Sequence, residues 1–425
     1  MINVLLISYY WPPAGGGGVH RWLKMSKYFP YDKMNLFVFT PDDPEYPAYD
    51  ESLVNQINKN ITIIKRPITE PYSFYKKFTG KKKDEKIYSG FINDKKSWKN
   101  DLAIWIRSNF FIPDARFLWI KPSIKFLKNK INELDIDVVI STGPPHSMHL
   151  IANGLKNKNQ SLKWIADFRD PWTNIDFYNQ LKLSAWADKK HHRLEKRVLQ
   201  NADKIVTVSW SWQKEFEEIS KKDNIEVITN GYDHIDFLDK PSDIKLFNLV
   251  HLGSLNKDRN PELLWNAISE LDTENALPKD FSVDLIGNID QAVIQSCKKL
   301  NVDKYLKFIG FVSHSEAITK MKESHVLLLL INNTPNSGGI IPGKAFEYLG
   351  SKRPIICIGP ENCDIKKLLS QYSHVHYIEY GNVDLCKKVI LELNKSIDNS
   401  SEDVYKYSRE KLANDYFQLI EKIAS

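Results

Sequence analysis

Ile2-Asn3-Val4-Leu5-Leu6-Ile7-Ser8 runs through Tyr9-Tyr10-Trp11-Pro12-Pro13 into Ala14-Gly15-Gly16-Gly17-Gly18-Val19-His20-Arg21. The apolar run reads as a buried strand, the glycines as a tight turn, and about Val19 to Tyr28 as a helix. Working outward, strand-sized runs recur at Leu36–Thr40, Ile61–Lys65, Val138–Thr142, Trp164–Asp167, Ile205–Val208 and Ile225–Ile228. Helical patterns fill intervals such as Pro122–Leu134 and Leu181–Leu199. A second series follows at Leu249–Gly253, Val283–Gly287, Lys307–Ile309, Val326–Ile331, Ile355–Ile358 and Val375–Ile378. Strands alternating with helices predict an α/β chain with parallel sheets covered on both faces.

A boundary is expected near Asp233–Lys245, after the turn signal Asn230-Gly231 and around Pro241-Ser242-Asp243. This predicts two doubly wound, Rossmann-like domains, residues 1–238 and 239–425, facing across a cleft. The last helix is a candidate to pack back on the first domain. Ligands of such sheets bind at the C-terminal ends of the strands.

The 425 residues are 42% hydrophobic and 26% charged, which suits a large globular core and excludes global disorder. The longest apolar run, Val326 to Ile331, is far short of a membrane span. The opening residues lack the pattern of a secretory signal, so a cytoplasmic protein is expected. Cys297, Cys357, Cys363 and Cys386 form no Cys-x-x-Cys pair and are expected as reduced thiols. A formal charge of +6 is mild at this length: it permits phosphate or an anionic membrane and does not call for nucleic acid. Between Tyr72 and Trp119, Lys76, Lys77, Lys81, Lys82 and Lys83 precede Trp98, Trp105, Phe110, Phe111, Phe117 and Trp119. That stretch is a candidate membrane seat, against the plainer reading of aromatics packed on their own domain.

Four motifs sit at expected strand ends. Gly15, Gly16, Gly17 and Gly18 let backbone amides approach an anion or sugar. The Gly-x-Gly-x-x-Gly dinucleotide spacing fails in both registers, at His20 and at Arg21, which argues against NAD. Gly338-Gly339-Ile340-Ile341-Pro342-Gly343-Lys344-Ala345 nearly matches a phosphate loop, but Ala345 lacks the hydroxyl that would hold magnesium. Glycines, a lysine and a helix start still suit a diphosphate, and Lys344 and Glu347 share a helix face. His146 follows Ser141-Thr142-Gly143-Pro144-Pro145, and Arg169 and Asp170 follow Asp167-Phe168. The first is a candidate contact in the crevice; the second pair serves the site or simply binds itself. Asp135-Ile136-Asp137 precedes its strand and reads as solvated carboxylates, so no metal is expected. The helical neighbours His191 and His192 do not share a face and make no metal pair.

In order and spacing these motifs resemble glycosyltransferase family 4, nearly end to end. The resemblance lies in Tyr10–Trp22, Thr142–Ser147, Ala166–Trp172, Ala202–Ser209, Thr229–Asp233, His251–Leu255 and Pro342–Leu349. It implies the two-domain GT-B fold, a nucleotide-sugar substrate and retention of configuration. Two positions depart from the family. Ser254 follows Gly253 where an arginine is common, which leaves Arg259 and Lys344 to hold the diphosphate. Gly339 stands where the first of two glutamates is common, which leaves backbone amides of Gly338, Gly339 and Ile340 for the sugar.

The expected activity is transfer of a hexose-type sugar from a nucleoside-diphosphate sugar to a hydroxyl of a glycan or lipid-linked acceptor, in cell-surface polysaccharide biosynthesis. Arg259 and Lys344 would stabilise the leaving diphosphate and Glu347 would orient the ribose. His146 would contact sugar or acceptor, and no cofactor is expected. The rivals are a nucleotide-sugar epimerase of the same fold and a non-catalytic sugar- or lipid-binding partner in an assembly complex.

Overall fold

The computed structural model describes residues 1–70, 98–238, 246–395 and 402–425. They form two compact units: residues 1–229 with 409–425, and residues 230–408. The division falls at Thr229/Asn230, a few residues before the stretch that sequence suggested; residues 239–245 of that stretch lie outside the described residues. Residues 230–238 therefore belong with the second unit, and the last helix with the first.

The first unit is built on a parallel sheet of β1 (Ile2–Ile7), β2 (Met34–Asp42), β3 (Ile61–Pro67), β4 (Val138–Gly143), β5 (Lys163–Phe168), β6 (Lys204–Thr207) and β7 (Ile225–Val227). Its order is β3-β2-β1-β4-β5-β6-β7. β1 is central, registered Leu5 to Phe37 on one side and Leu5 to Val139 on the other. A strand covered on both faces needs a continuous apolar run, and Val4 to Ile7 are all buried. Edge strand β3 is only half-buried and carries Lys65 and Arg66. The last helix, Arg409–Ala424, lays Leu412, Tyr416, Phe417 and Ile420 into the core with Val4, Leu6, Trp22 and Ile140. Each such side chain contributes about 1.5–3 kcal/mol of burial.

The second unit repeats the plan with β8 (Asn248–Leu252), β9 (Ser282–Ile286), β10 (Leu306–Gly310), β11 (Val326–Leu330), β12 (Ile355–Gly359) and β13 (Val375–Glu379), ordered β10-β9-β8-β11-β12-β13 and all parallel. Central β11 and β12 are fully buried, whereas edge strand β10 is largely exposed. In each unit the strand order reverses once, between β1 and β4 and between β8 and β11. Loops leaving the C-terminal ends of strands at such a reversal splay apart and leave room for a ligand.

The aromatic stretch divides. Trp119 is buried, stacks on Phe39 at 4.8 Å and donates to Pro67 O at 3.1 Å, so it is core and not a membrane contact. Phe111 stacks on Phe117 at 5.6 Å. Trp105 and Phe110 stay exposed. Lys76, Lys77, Lys81, Lys82 and Lys83 lie outside the described residues. All four cysteines are buried free thiols. Among the described residues no helix is long and apolar enough to cross a membrane.

Candidate active site

In the second unit, β8 ends at Leu252 and the chain turns through Gly253 with φ +120°, a conformation that favours glycine. Gly253 also needs to be small: a Cβ there would come within 3.2 Å of Lys344 Nζ. Lys344 sits in the first turn of the helix Gly343–Ser351, which follows the β11 loop and has no side-chain cap. Its ammonium donates to Leu252 O at 2.8 Å. On the same helix, buried Tyr348 accepts from Leu252 N at 3.1 Å, so the helix is fastened to the strand end at two points.

The residue Lys344 keeps some open surface, but its ammonium is walled in by protein. Burial, then nearby Arg259, pushes its pKa down to about 7, and Glu347 opposes the shift. Arg259 lies in the short turn Lys257–Arg259 and donates to Asn332 Oδ1. Burial, then Lys344, also holds His251 neutral, with its ring bonded to Leu328 O at 3.0 Å. Two cations and the first-turn amides of an uncapped helix thus converge on the β8 end. The first amides of any helix lack intrahelical partners, so this arrangement favours an anion. Glu347 is half-buried beside them, and Gly253 and Ser254 are exposed.

One sequence expectation needs correction here. Ser337–Gly339 folds as a single tight turn, and the Ile340 amide donates to Ser337 O at 3.0 Å. It is therefore spent inside the loop rather than offered to a sugar. Gly339 is buried, and a Cβ on Gly338 would meet Asn362 O at 3.5 Å, beyond the end of β12.

In the first unit the glycine loop leaves β1. Gly15 N donates to Ala48 O at 2.8 Å, and Gly16, with φ +84°, precedes the uncapped helix Gly17–Ser26. Gly16 and Gly17 are exposed. Gly18 is the close-approach position: a Cβ there would lie 2.8 Å from the Tyr10 ring and 3.2 Å from Arg169 Nη1. The structure thus brings the β1 and β5 ends together. Arg169 N donates to Gly143 O at 3.2 Å, which adds the β4 end. Arg169 pairs with Asp170 at 3.2 Å, and both keep some exposure.

His146 starts the helix after β4 and lies parallel to Trp172, ring centroids 4.8 Å apart. Its Nδ1 is buried without a protein partner among the described residues. Burial, then His149, His191 and Arg169, lowers its pKa well below the usual value. His146 is therefore a neutral, enclosed ring at the β4 end, unfit to donate a proton at neutral pH.

Several supporting residues were not picked out from sequence. Asp167, buried at the end of β5, accepts from Arg21 at 2.9 Å, from Trp22 Nε1 at 2.9 Å and from Thr142 Oγ1 at 2.9 Å. Arg21 spends its remaining donors on Ile228 O and Thr229 O, both at 2.9 Å. This pair ties the glycine-loop helix to β5 and to the last residue before the chain enters the second unit. Glu195 is fully buried and accepts from Trp172 N at 3.1 Å and from the amide and hydroxyl of Thr173. Burial pushes its pKa up to about 7. His191 accepts from Trp172 Nε1 at 3.0 Å, and burial lowers its pKa to about 4. Together they fix the face of Trp172 against which His146 lies. Asp135 and Asp137 sit exposed before β4, with Asp137 accepting from Asn3 N at 2.8 Å. Among the described residues no three His, Cys, Asp or Glu side chains are grouped to hold a metal.

The family profile described as Glycosyltransferase Family 4 matches residues 15–235, just over half of the chain. Anabaena HepE, solved with UDP and glucose, superposes with a TM-score of 0.64 at 12% identity, covering 99% of this chain and 100% of that one. A variant of S. aureus TarM, solved with fondaparinux, α-GlcNAc-glycerol and UDP, gives 0.63 at 11% identity and covers 99% of both chains. A protein described as a putative UDP-N-acetylglucosamine 2-epimerase from Listeria monocytogenes gives 0.56 at 11% identity, covering 99% of this chain and 96% of that one. No curated protein matches the chain by sequence. At such identities the superpositions show a shared fold of two Rossmann-like domains.

Proposed function

The chain belongs to glycosyltransferase family 4, and from that premise we propose that it moves a sugar, with retention, from a nucleoside diphosphate to a hydroxyl of a glycan or lipid-linked acceptor. The observation that carries the donor assignment is the cationic end of β8. Leaving diphosphate gains negative charge as the glycosidic bond breaks. We assign the binding of that charge to Lys344, Arg259 and the first-turn amides of Gly343–Ser351, which would meet it as fixed positive partners. A nucleotide also raises the proton affinity of Lys344, so the ammonium is fully charged when the donor is bound. Glu347 accepts hydrogen bonds from the ribose hydroxyls.

The neutral loops of the first unit take the acceptor side. His146, stacked on Trp172, shapes the β4 end, and Arg169 and the Gly15–Gly18 backbone orient hydroxyl or anionic groups. With charge neutralised by side-chain cations, the reaction needs no bound metal. We assign the acceptor to cell-surface polysaccharide assembly at the inner face of the cytoplasmic membrane, because exposed aromatics accompany a net positive chain.

The test is turnover of a panel of UDP-, GDP- and ADP-sugars with glycan and lipid-linked acceptors, read by NMR of the product anomer, with and without EDTA. A product of retained configuration in both conditions is expected. Complete loss in EDTA restored by magnesium would overturn the metal-free mechanism. Conversion of a donor to its epimer with no acceptor present would favour the epimerase reading, which the Listeria superposition keeps in view.

A further inference from the structure

We propose that the outer face of the helix Ala185–Asn201 in the first unit, with the aromatics beside its N-terminus, is a docking surface for an anionic lipid bilayer. The proposal deepens the lipid-linked acceptor reading by naming where the membrane is met. Its test does not depend on turnover.

The helix is amphipathic in an unusual sense. Ala187, His191, Glu195, Val198 and Leu199 are buried. Trp186, Lys189, Arg193, Lys196 and Arg197 are exposed, and steps of three and four place them in one outward stripe. Lys190 reaches over the Trp186 ring at 4.8 Å. Carboxylates do not cancel this face. Glu195 points inward and is consumed by residues 172 and 173. Asp188 is held by Tyr178 OH at 3.0 Å and stands 3.5 Å from His192. On the next helix, Trp210–Ser220, Glu215 accepts from Asn174 at 2.7 Å, leaving Glu217 half-buried and Glu218 exposed one helix away.

The aromatics are fixed beside the start of this stripe. Asn109 donates to Lys182 O at 2.8 Å and accepts from Ser184 N at 2.7 Å, while Ser184 caps the helix through Ala187 N at 3.3 Å. The end of the helix Trp98–Phe110 is thereby fastened to the start of Ala185–Asn201. Trp186 is 61% exposed, Phe110 60%, Trp105 41% and Phe177 39%. Large rings left in water at the end of a cationic stripe suit a bilayer interface, where rings enter the headgroup level and cations meet lipid phosphates. A second copy of this face would be repelled by its own charge. Nucleic acid, the other polyanion, is an outcome of the test.

Vesicles of phosphatidylcholine, with and without phosphatidylglycerol, are sedimented with the full chain at low and high salt. Single-stranded DNA is assayed in parallel. Binding to the anionic vesicles at low salt, lost at high salt, is expected. K189E/R193E/R197E should weaken it on the order of a hundredfold, and Trp186→Ser by several-fold. K298E/K299E makes a similar charge change on the second unit and should bind nearly as the wild type does. Stabilisation by nucleotide sugar should be the same in every variant, which checks folding and leaves the donor site out of the result. Equal partition of the triple variant and the wild type, equal binding to neutral vesicles, or binding to DNA without binding to vesicles would each overturn the proposal.

Discussion

At the strand-order reversal of the first unit, the β1, β4 and β5 loops present glycine backbone, a neutral His146 and an arginine already paired with Asp170. At the corresponding reversal of the second unit, the β8 and β11 loops present Lys344 and Arg259 around an uncapped helix start. The topology is shared and the electrostatics are opposed. The buried charge of the first unit, Arg21 with Asp167, is turned inward and spent on holding loops together. In the second unit the two cations donate instead to the neutral oxygens of Leu252 and Asn332. On the proposed function, the same fold would supply one loop set for neutral hydroxyl chemistry and one for a diphosphate, with the side chains at the reversal deciding which.

The largest expected effect comes from breaking the inward pair. Arg21→Met strands the Asp167 carboxylate in the core, and losing one partner of a buried pair costs about 3–5 kcal/mol. Urea unfolding followed by a first-unit tryptophan signal should show that loss. Asp167→Asn, which keeps hydrogen bonds to Trp22 and Thr142, should lose less. A fully stable Arg21→Met would mean that the first unit does not rely on this pair.

Next come the outward charges. Lys344→Ala and Glu347→Ala should each lower kcat/KM for the donor at least about tenfold, the consequence of losing a charged hydrogen bond of about 1.5–3 kcal/mol. Arg169→Ala should raise the acceptor KM and leave donor affinity alone. If Arg169→Ala weakened the donor as much as Lys344→Ala does, the division of labour between the two loop sets would fail.

Over a single pH unit the pH dependence is smaller. Free Lys344 has its pKa depressed to about 7, and a bound diphosphate raises it. Between those two values donor binding takes up a proton, so affinity should be flat below pH 7 and fall above it, by up to about tenfold per pH unit. Calorimetry with a nucleotide sugar across pH 6–9 should show the fall, and Lys344→Met should abolish it. The smallest effect is expected from Asp137→Ala, whose carboxylate sits at the N-terminal end of the sheet and accepts from Asn3 N there. Its kinetics should match the wild type.

What could be read beforehand follows from range. Val4–Ile7 and Val326–Leu330 announce central strands because a parallel sheet buries both faces, and the pattern is local. Gly253, Lys344 and Glu347 stand in short motifs at strand and helix ends, so their neighbourhood was legible as well. Arg21 and Asp167 were each visible in a motif, but their pairing spans 146 residues and needs the sheet to be folded first. Glu195 lay hidden among charges: Lys189, Lys190, Arg193 and Lys196 around it suggest a solvated helix, and only the packing of Trp172 and Thr173 turns it inward. Trp119 misled for the opposite reason. Lysines and aromatics earlier in the stretch suggest a membrane seat, whereas Phe39 and Pro67 supply a core. Ser337-Gly338-Gly339 is a turn signal, but that the turn closes on the Ile340 amide is a matter of backbone geometry that residue types do not specify.

The central claim is that the end of β8 is the donor site. Thermal unfolding with a panel of UDP-, GDP- and ADP-sugars tests it directly in the wild type, Lys344→Met, Glu347→Ala and Arg169→Ala. At 100 times its dissociation constant, the correct donor should add about 2.7 kcal/mol to the wild type and to Arg169→Ala. It should add far less at the same concentration to Lys344→Met and Glu347→Ala. Equal stabilisation of all four proteins, or stabilisation lost only in Arg169→Ala, would contradict the account.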